Sequence, residues 1–304
     1  MLDIHETSLL RPTDDSVSGV IRVTESSLMR ANLRTRIDRS AEFCVHASMA
    51  VATERPFGSN AGLLSASRYG AMASREQYLT DLSAPDADAF SARPKDFVQS
   101  ILNLPGAQAT IATELVGFFS HLVGGPYATI LALWHAERVL QMDDMDEMVV
   151  VAYEALTEEL VNMLHRNHPK ARFAEGAAAF RVSLPGSSQT SPSGRILSSG
   201  FATGEDAARK ALDKALYAAD LTIPSLGQVM VCDEPETSDP ETLFGPNFNV
   251  SVRSSTDRPN AFSVTPLWQI IDALGQSVPS AIVALDDADS AAALVLDGTL
   301  APGR

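Results

Sequence analysis

Nucleophilic and general-base chemistry in this chain would first be sought at two cysteines, Cys44 and Cys232, and six histidines: His5, His46, His121, His135, His165 and His168. None of the histidines stands with a serine or cysteine in a recognisable nucleophile motif. Cys44 falls on the apolar face of a helical pattern and reads as core, the usual place of a free cysteine. Cys232 ends an apolar run and is followed by Asp233 and Glu234. Their charge would raise a thiol pKa, the wrong direction for a nucleophile. His165 and His168 have the i, i+3 spacing of a helical metal pair, but their Asn-His-Pro context predicts a turn. Asp143, Asp144, Asp146 and Glu147 follow an apolar helical run, where a solvated acidic turn is a stronger reading than a metal site. His135 lies within that run and reads as a hydrogen-bonded core residue. No metal site and no cofactor are expected.

The elements that must position these groups alternate in type. With 304 residues, 45% of them hydrophobic, the chain can build a large core or two similar core layers. Residues 1–20 read as a loose arm or short edge element. Residues 30–53 carry a helical pattern with Arg30, Arg34, Arg36 and Arg39 as a solvated basic face, a docking surface for an acidic partner being the alternative. The stretch from Gly58 to Gly70 reads as a strand and glycine turn, 83–95 as a loop, and 106–117 as a helix stopping at Gly117. Phe118–Val123 is a candidate short buried strand. Residues 128–141 are apolar on almost every side, as in a helix buried on all faces. Met148–Tyr153 and Ala177–Val182 read as buried strands. Residues 184–195, rich in Ser, Pro and Gly, predict a linker. After it, Ala208, Ala211, Leu212, Ala215, Leu216 and Ala219 mark a helix, with Thr203 and Asp206 as a capping pair. Gln228–Cys232, Ala281–Leu285 and Ala291–Leu296 read as strands. Thr265 reads as the cap of a helix with Pro266 first and Gly275 just past its end. Strands alternating with helices in both halves predict an α/β fold, and the halves could be a structural repeat.

A formal net charge of −15 makes nucleic acid and anionic membranes poor partners and would repel acidic acyl carrier proteins at long range. Two cysteines do not suggest a disulfide framework. The acidic start has no apolar leader, and no apolar run reaches the roughly 18 residues of a membrane span. A cytoplasmic setting is expected.

The order Phe97, Asn103, Pro105-Gly106, Gln108, Gly117 resembles the run that precedes the nucleophile in the β-ketoacyl synthase family of the thiolase-like fold. Counting forward from Phe97, and back from Asp146 and Glu154, both reach Pro126. Arg36-Ile37-Asp38-Arg39 is similar to an early RxDR stretch of the family, and Glu175-Gly176-Ala177-Ala178 to its EGA(A/G) strand. The resemblance covers roughly residues 35–183 and is weak after 195. It implies a thiolase-like layered α-β-α-β-α fold, shortened, with a ketosynthase-like half at 1–183, a linker at 184–195 and a reduced second half at 196–304.

The same resemblance implies a cysteine thiolate at a helix N-terminus, two histidines and an oxyanion site. Here the turn reads Gly124-Gly125-Pro126-Tyr127, and proline has no group that can carry an acyl chain. No histidine follows His168, so both family histidines are absent. The glycine-rich closing loop is replaced by Leu285-Asp286-Asp287-Ala288-Asp289. The resemblance therefore implies a degenerate member, like the chain-length-factor subunits that lost the cysteine. Such a chain would pair with an active β-ketoacyl synthase in fatty acid or polyketide-type biosynthesis, shape or stabilise it, and meet acyl carrier protein only indirectly. Pro126 departs from the polar residue such subunits often keep, which puts residual decarboxylation in doubt. Two alternatives stay open: a condensing enzyme or acyl transferase with relocated chemistry, and an acyl- or lipid-binding scaffold using the pocket at 124–127. Expected site residues are the remnant pocket Gly124, Gly125, Pro126 and Tyr127, with Asn103, Gly106, Gln108, Glu154, Glu175 and Gly176 as structural motif.

Overall fold

The computed structural model describes every residue except 13–19, 22–36, 54, 84–93, 143–144, 170, 189, 233–239, 246–247, 249, 255–258, 275, 287–289 and 298–304. Residues Arg30, Arg34, Arg36, Asp143, Asp144, Asp233, Glu234, Gly275, Asp287, Ala288 and Asp289, on which parts of the sequence reading fell, lie outside the described residues.

The first half contributes strands β1 (Leu2–Leu10), β2 (Val20–Ile21), β3 (Ala61–Ser67), β4 (Phe119–Val123), β5 (Glu147–Glu154), β6 (Phe173–Ala174) and β7 (Gly176–Ser183). The second contributes β8 (Gly194–Thr203), β9 (Gln228–Cys232), β10 (Ser251–Ser254), β11 (Ser280–Asp286) and β12 (Ser290–Asp297). Ten of them form one mixed sheet in the order β10-β9-β11-β12-β8-β1-β7-β5-β3-β4, while β2 pairs with β6. Outward from the centre each half repeats one pattern. In the first, β1, β7 and β5 are successively antiparallel, then β3 and β4 run parallel. In the second, β8, β12 and β11 are antiparallel, then β9 and β10 parallel. Both halves thus share one five-strand order. The two meet where β1 pairs antiparallel with β8 over Leu2 to Ile4.

The helices are α1 (Arg39–Ala50), α2 (Met72–Ser83), α3 (Pro94–Gln99), α4 (Leu104–Thr113), α5 (Pro126–Gln141), α6 (Glu158–Asn167), α7 (Ala207–Ala218), α8 (Pro240–Phe244) and α9 (Thr265–Ala273). Side chains alternate across a strand, and the core follows that alternation. Val149, Val151, Ala177 and Ala179 face a cluster with Phe43, Cys44, Ala47 of α1 and Ala109 of α4. Val150, Ala152, Ala178 and Phe180 face a second cluster that joins Ile130 and Leu133 of α5, Leu267 and Ile270 of α9, and Ile282 and Leu294 of the second half. A third cluster puts Ala211, Leu212 and Ala215 of α7 on Val229, Val283 and Val295. The layers are therefore α-β-α-β-α, as expected, with α5 and α9 in the middle.

Several local expectations are corrected. The first ten residues are an inner strand, because the polar residues that made them look loose find partners. Asp3 accepts from Arg195, while His5 pairs through Nε2 with Ser183 Oγ at 2.8 Å and through Nδ1 with Thr190 Oγ1 at 3.0 Å. β4 is an edge strand of intermediate exposure rather than a buried one. Along α5, Trp134 and His135 are half-buried and Arg138 and Gln141 exposed; His135 stacks edge-on to Trp134. Glu147 belongs to a strand, buried against Arg181 and Arg55, instead of a solvated turn. His165 lies in α6 with its ring against Phe173, and His168 is the C-cap. Asp206 has a left-handed φ of 60° and makes no capping bond. Val264 is the N-cap of α9, and Thr265 Oγ1 instead accepts from Ala261 N at 3.1 Å. Pro94 and Lys95 begin α3, and Gly194 and Arg195 begin β8.

Candidate functional site

β4 runs into Gly124 and Gly125, and α5 starts at Pro126. This strand–turn–helix would hold a nucleophile at the helix N-terminus, where the peptide dipoles favour negative charge. Pro126 is the first helical residue, buried and with no backbone N–H, and it suits the first turn because its fixed φ is already helical. Gly125 is the N-cap, with no side chain to cap the helix. Tyr127 is half-buried, its ring edge-on to Phe201 at 5.9 Å. Burial and the nearby charge of Asp286 push its phenol pKa up.

The start of α5 is tied to the second half. Thr129 Oγ1 donates to the carbonyl of Ser263, in the turn before α9. Ser263 Oγ donates to Glu154 Oε1 at 2.6 Å. Glu154, fully buried at the end of β5, also accepts from the amide of Arg68, from Tyr69 N at 3.3 Å and from Ser67 Oγ at 3.2 Å. Burial lifts its carboxyl to about 7 against the opposing pull of those donors. Glu154 is thus the junction of β5, the turn after β3 and the turn before α9.

Glu175 and Arg39, quoted from two separate stretches of sequence, form one ion pair: Arg39 Nε donates to Glu175 Oε2 at 3.2 Å and Nη2 to Oε1. Asp38 caps α1 through Ser40 N at 2.8 Å and accepts from Ser74 N at 2.9 Å, fixing α1 to α2. Gly176 and Gly106 are required by close approach. A Cβ at Gly176 would lie 2.5 Å from Leu10 O and 2.7 Å from Trp268 Cζ2, and one at Gly106 would lie 2.5 Å from Ser65 Oγ. Asn103 is the N-cap of α4 without a side-chain capping bond. Gln108 Oε1 is buried with no hydrogen-bond partner among the described residues. These motif residues are therefore spread over the sheet, α1, α4 and α9, and Glu154 is bonded to the 263 turn that holds α5.

Sequence reasoning missed Ser67, Thr129 and Ser263, which carry no signal beyond being small hydroxyl residues at element ends. His121 on β4 is among the histidines that the sequence leaves without a partner residue; its Nδ1 meets Ser65 Oγ at 2.9 Å, and burial lowers its pKa to about 4. Both thiols are buried. Burial pushes Cys44 up, and Cys232 Sγ donates to Gln269 Oε1 at 3.0 Å.

No family model matches the sequence. No curated protein matches it either. Solved structures do. "The ishigamide ketosynthase/chain length factor" superposes with a TM-score of 0.80 at 15% identity, over 99% of this chain and 99% of that one. The fold is that of the β-ketoacyl synthases. A ketosynthase in complex with its type II PKS acyl-carrier protein gives a TM-score of 0.80 at 11% identity, over 97% and 98% of the two chains. A β-ketoacyl synthase from Burkholderia phymatum STM815 gives 0.78 at 11% identity, over 100% and 99%. At such identities the likeness is one of fold, and it runs through both halves of the ketosynthase-type architecture, including the half where the sequence resemblance is weak.

Proposed function

We propose that this chain is a non-catalytic ketosynthase-like subunit, of the chain-length-factor kind, that pairs with an active β-ketoacyl-ACP synthase in the cytoplasm and shapes or stabilises it. The observation that carries the reading is Pro126 as the first residue of α5, where β4 passes through Gly124 and Gly125 into the helix. Both thiols are buried and hydrogen-bonded or apolar-packed, which gives relocated chemistry no support. The division into halves at 184–195 belongs to the same reading, as does an indirect role for acyl carrier protein.

A docking face for the partner is argued from exposure. β4 ends the sheet, with β3 as its only neighbour among the described strands. Unpaired edge groups are a template for another strand. Nine of the fifteen exposed large hydrophobic side chains among the described residues fall between Leu79 and Val123, and neither α2 nor α3 buries any residue. A second copy would oppose one net charge of −15 with another, so a less acidic subunit of the same fold is the better occupant.

The test is co-expression with a ketosynthase encoded beside this chain, followed by size-exclusion and acyl-transfer assays. A stable heterodimer is expected, with an acyl group on the partner and none on this chain. Pro126→Cys is expected to restore neither acylation nor malonyl decarboxylation, because no histidines support the thiol. A chain that stays alone and changes no ketosynthase's activity or products would sink the reading.

A further inference from the structure

On the face of the sheet opposite α5, the C-terminal ends of α1 and α4 and the loop before β3 enclose an open pocket of about 480 Å³. It is separate from the turn at Pro126, because α1 and α4 cover the side of β5 that presents Val149 and Val151, and α5 the side that presents Val150 and Ala152. Met49, Phe57 and Val116 supply apolar wall, and Val116 is 82% exposed. The hydroxyls of Thr53 and Thr113 already donate to the carbonyls of Met49 and Ala109.

Glu114 is the one charged residue of this lining among the described residues. It sits at the C-cap of α4 with a left-handed φ of 58°, a helix-ending conformation usually given to glycine. A carboxylate is therefore held where the backbone favours a residue without a side chain. The loop opposite is fixed in advance. Arg181, fully buried, donates to the carbonyls of Arg55 at 2.6 Å and Pro56 at 3.2 Å and lies under the Phe57 ring. Glu147 accepts from Gly58 N at 2.8 Å. The nearby cation of Arg55 is itself bonded to Glu147. Ligand binding would thus have little ordering cost in this loop.

We propose that this pocket binds an amphipathic cation, with an apolar stem against Met49, Phe57 and Val116 and an ammonium or guanidinium at Glu114. The assignment is independent of the pairing proposed above. It is tested by titrating the full chain with hexylguanidinium, hexanol and hexanoate while following methyl NMR signals of Met49 and Val116. Saturable shifts with hexylguanidinium are expected, with weaker binding of hexanol and hexanoate. Glu114→Gln, at an exposed position, should fold as the parent does and weaken the cation about three- to fivefold. No saturable shift, equal binding of hexanol or hexanoate, or unchanged affinity in Glu114→Gln would each overturn the assignment. A partner subunit shares this chemistry through an Arg or Lys side chain. If saturating partner abolishes the hexylguanidinium shifts, the pocket serves the docked partner; if the shifts persist, it serves a free amine.

Discussion

Glu154 shows how a single buried side chain can set a pH dependence of stability. Four donors point at it, which favours the carboxylate, yet complete burial disfavours the charge more and its pKa rises to about 7 from 4.5. The neutral form is therefore favoured by folding. That contribution is fully present below about pH 4.5 and is lost as pH rises towards 7. Urea unfolding across this range should show the parent losing stability relative to Glu154→Gln by an amount on the order of 3 kcal/mol, with parallel behaviour above pH 8. Parallel curves throughout would mean the carboxyl is not perturbed. Gly106 makes a second residue-scale prediction. A methyl there meets Ser65 Oγ at 2.5 Å and the Phe119 ring at 2.9 Å, so Gly106→Ala should cost about 1–3 kcal/mol, read as a lowered Tm. An unchanged Tm would show that α4 can shift off the sheet freely.

Among the elements, β4 and α5 are one unit with two outlooks. α5 is packed between both half-sheets, while β4 pairs only with β3 among the described strands and ends on Val123, which is 56% exposed. Lysine on an edge strand is a known bar to strand addition. Val123→Lys should leave the Tm of the isolated chain within about 0.5 kcal/mol of equivalent stability and weaken binding of a ketosynthase partner about fivefold or more, measured by titration calorimetry. Full retention of affinity would place the partner elsewhere. The misreading of β4 as buried and of Leu2–Leu10 as loose has one cause. Composition reports how apolar a strand is, and the number of its neighbours depends on strands far away in sequence.

Over the whole molecule, the central cluster crosses from the first half to the second through α5, α9, β5, β7, β11 and β12. Neither half can bury its inner face alone, so the two should unfold together. The chain has two tryptophans, one on the α5 side and one on α9. Trp134→Phe and Trp268→Phe, each leaving one reporter, should give the same urea midpoint as far-UV circular dichroism. Separate midpoints would mean that the halves are independent units.

Much of the fold was legible in chain order. The alternation of strand and helix, the buried runs at 148–153 and 177–182, and the helices at 208–219 and 128–141 follow from local periodicity, because backbone geometry fixes which side chains share a face. That a proline stands at 126, where the helix begins, was legible too, since it depends only on which residue occupies the position. The ion pair of Arg39 with Glu175, the burial of Glu147 against Arg181, the meeting of Ser67, Glu154, Ser263 and Thr129, and the free edge of β4 were decided only in the assembled chain. Each joins residues tens to more than a hundred positions apart, and a hydrogen bond or an unpaired edge exists only once the intervening strands have taken their order in the sheet.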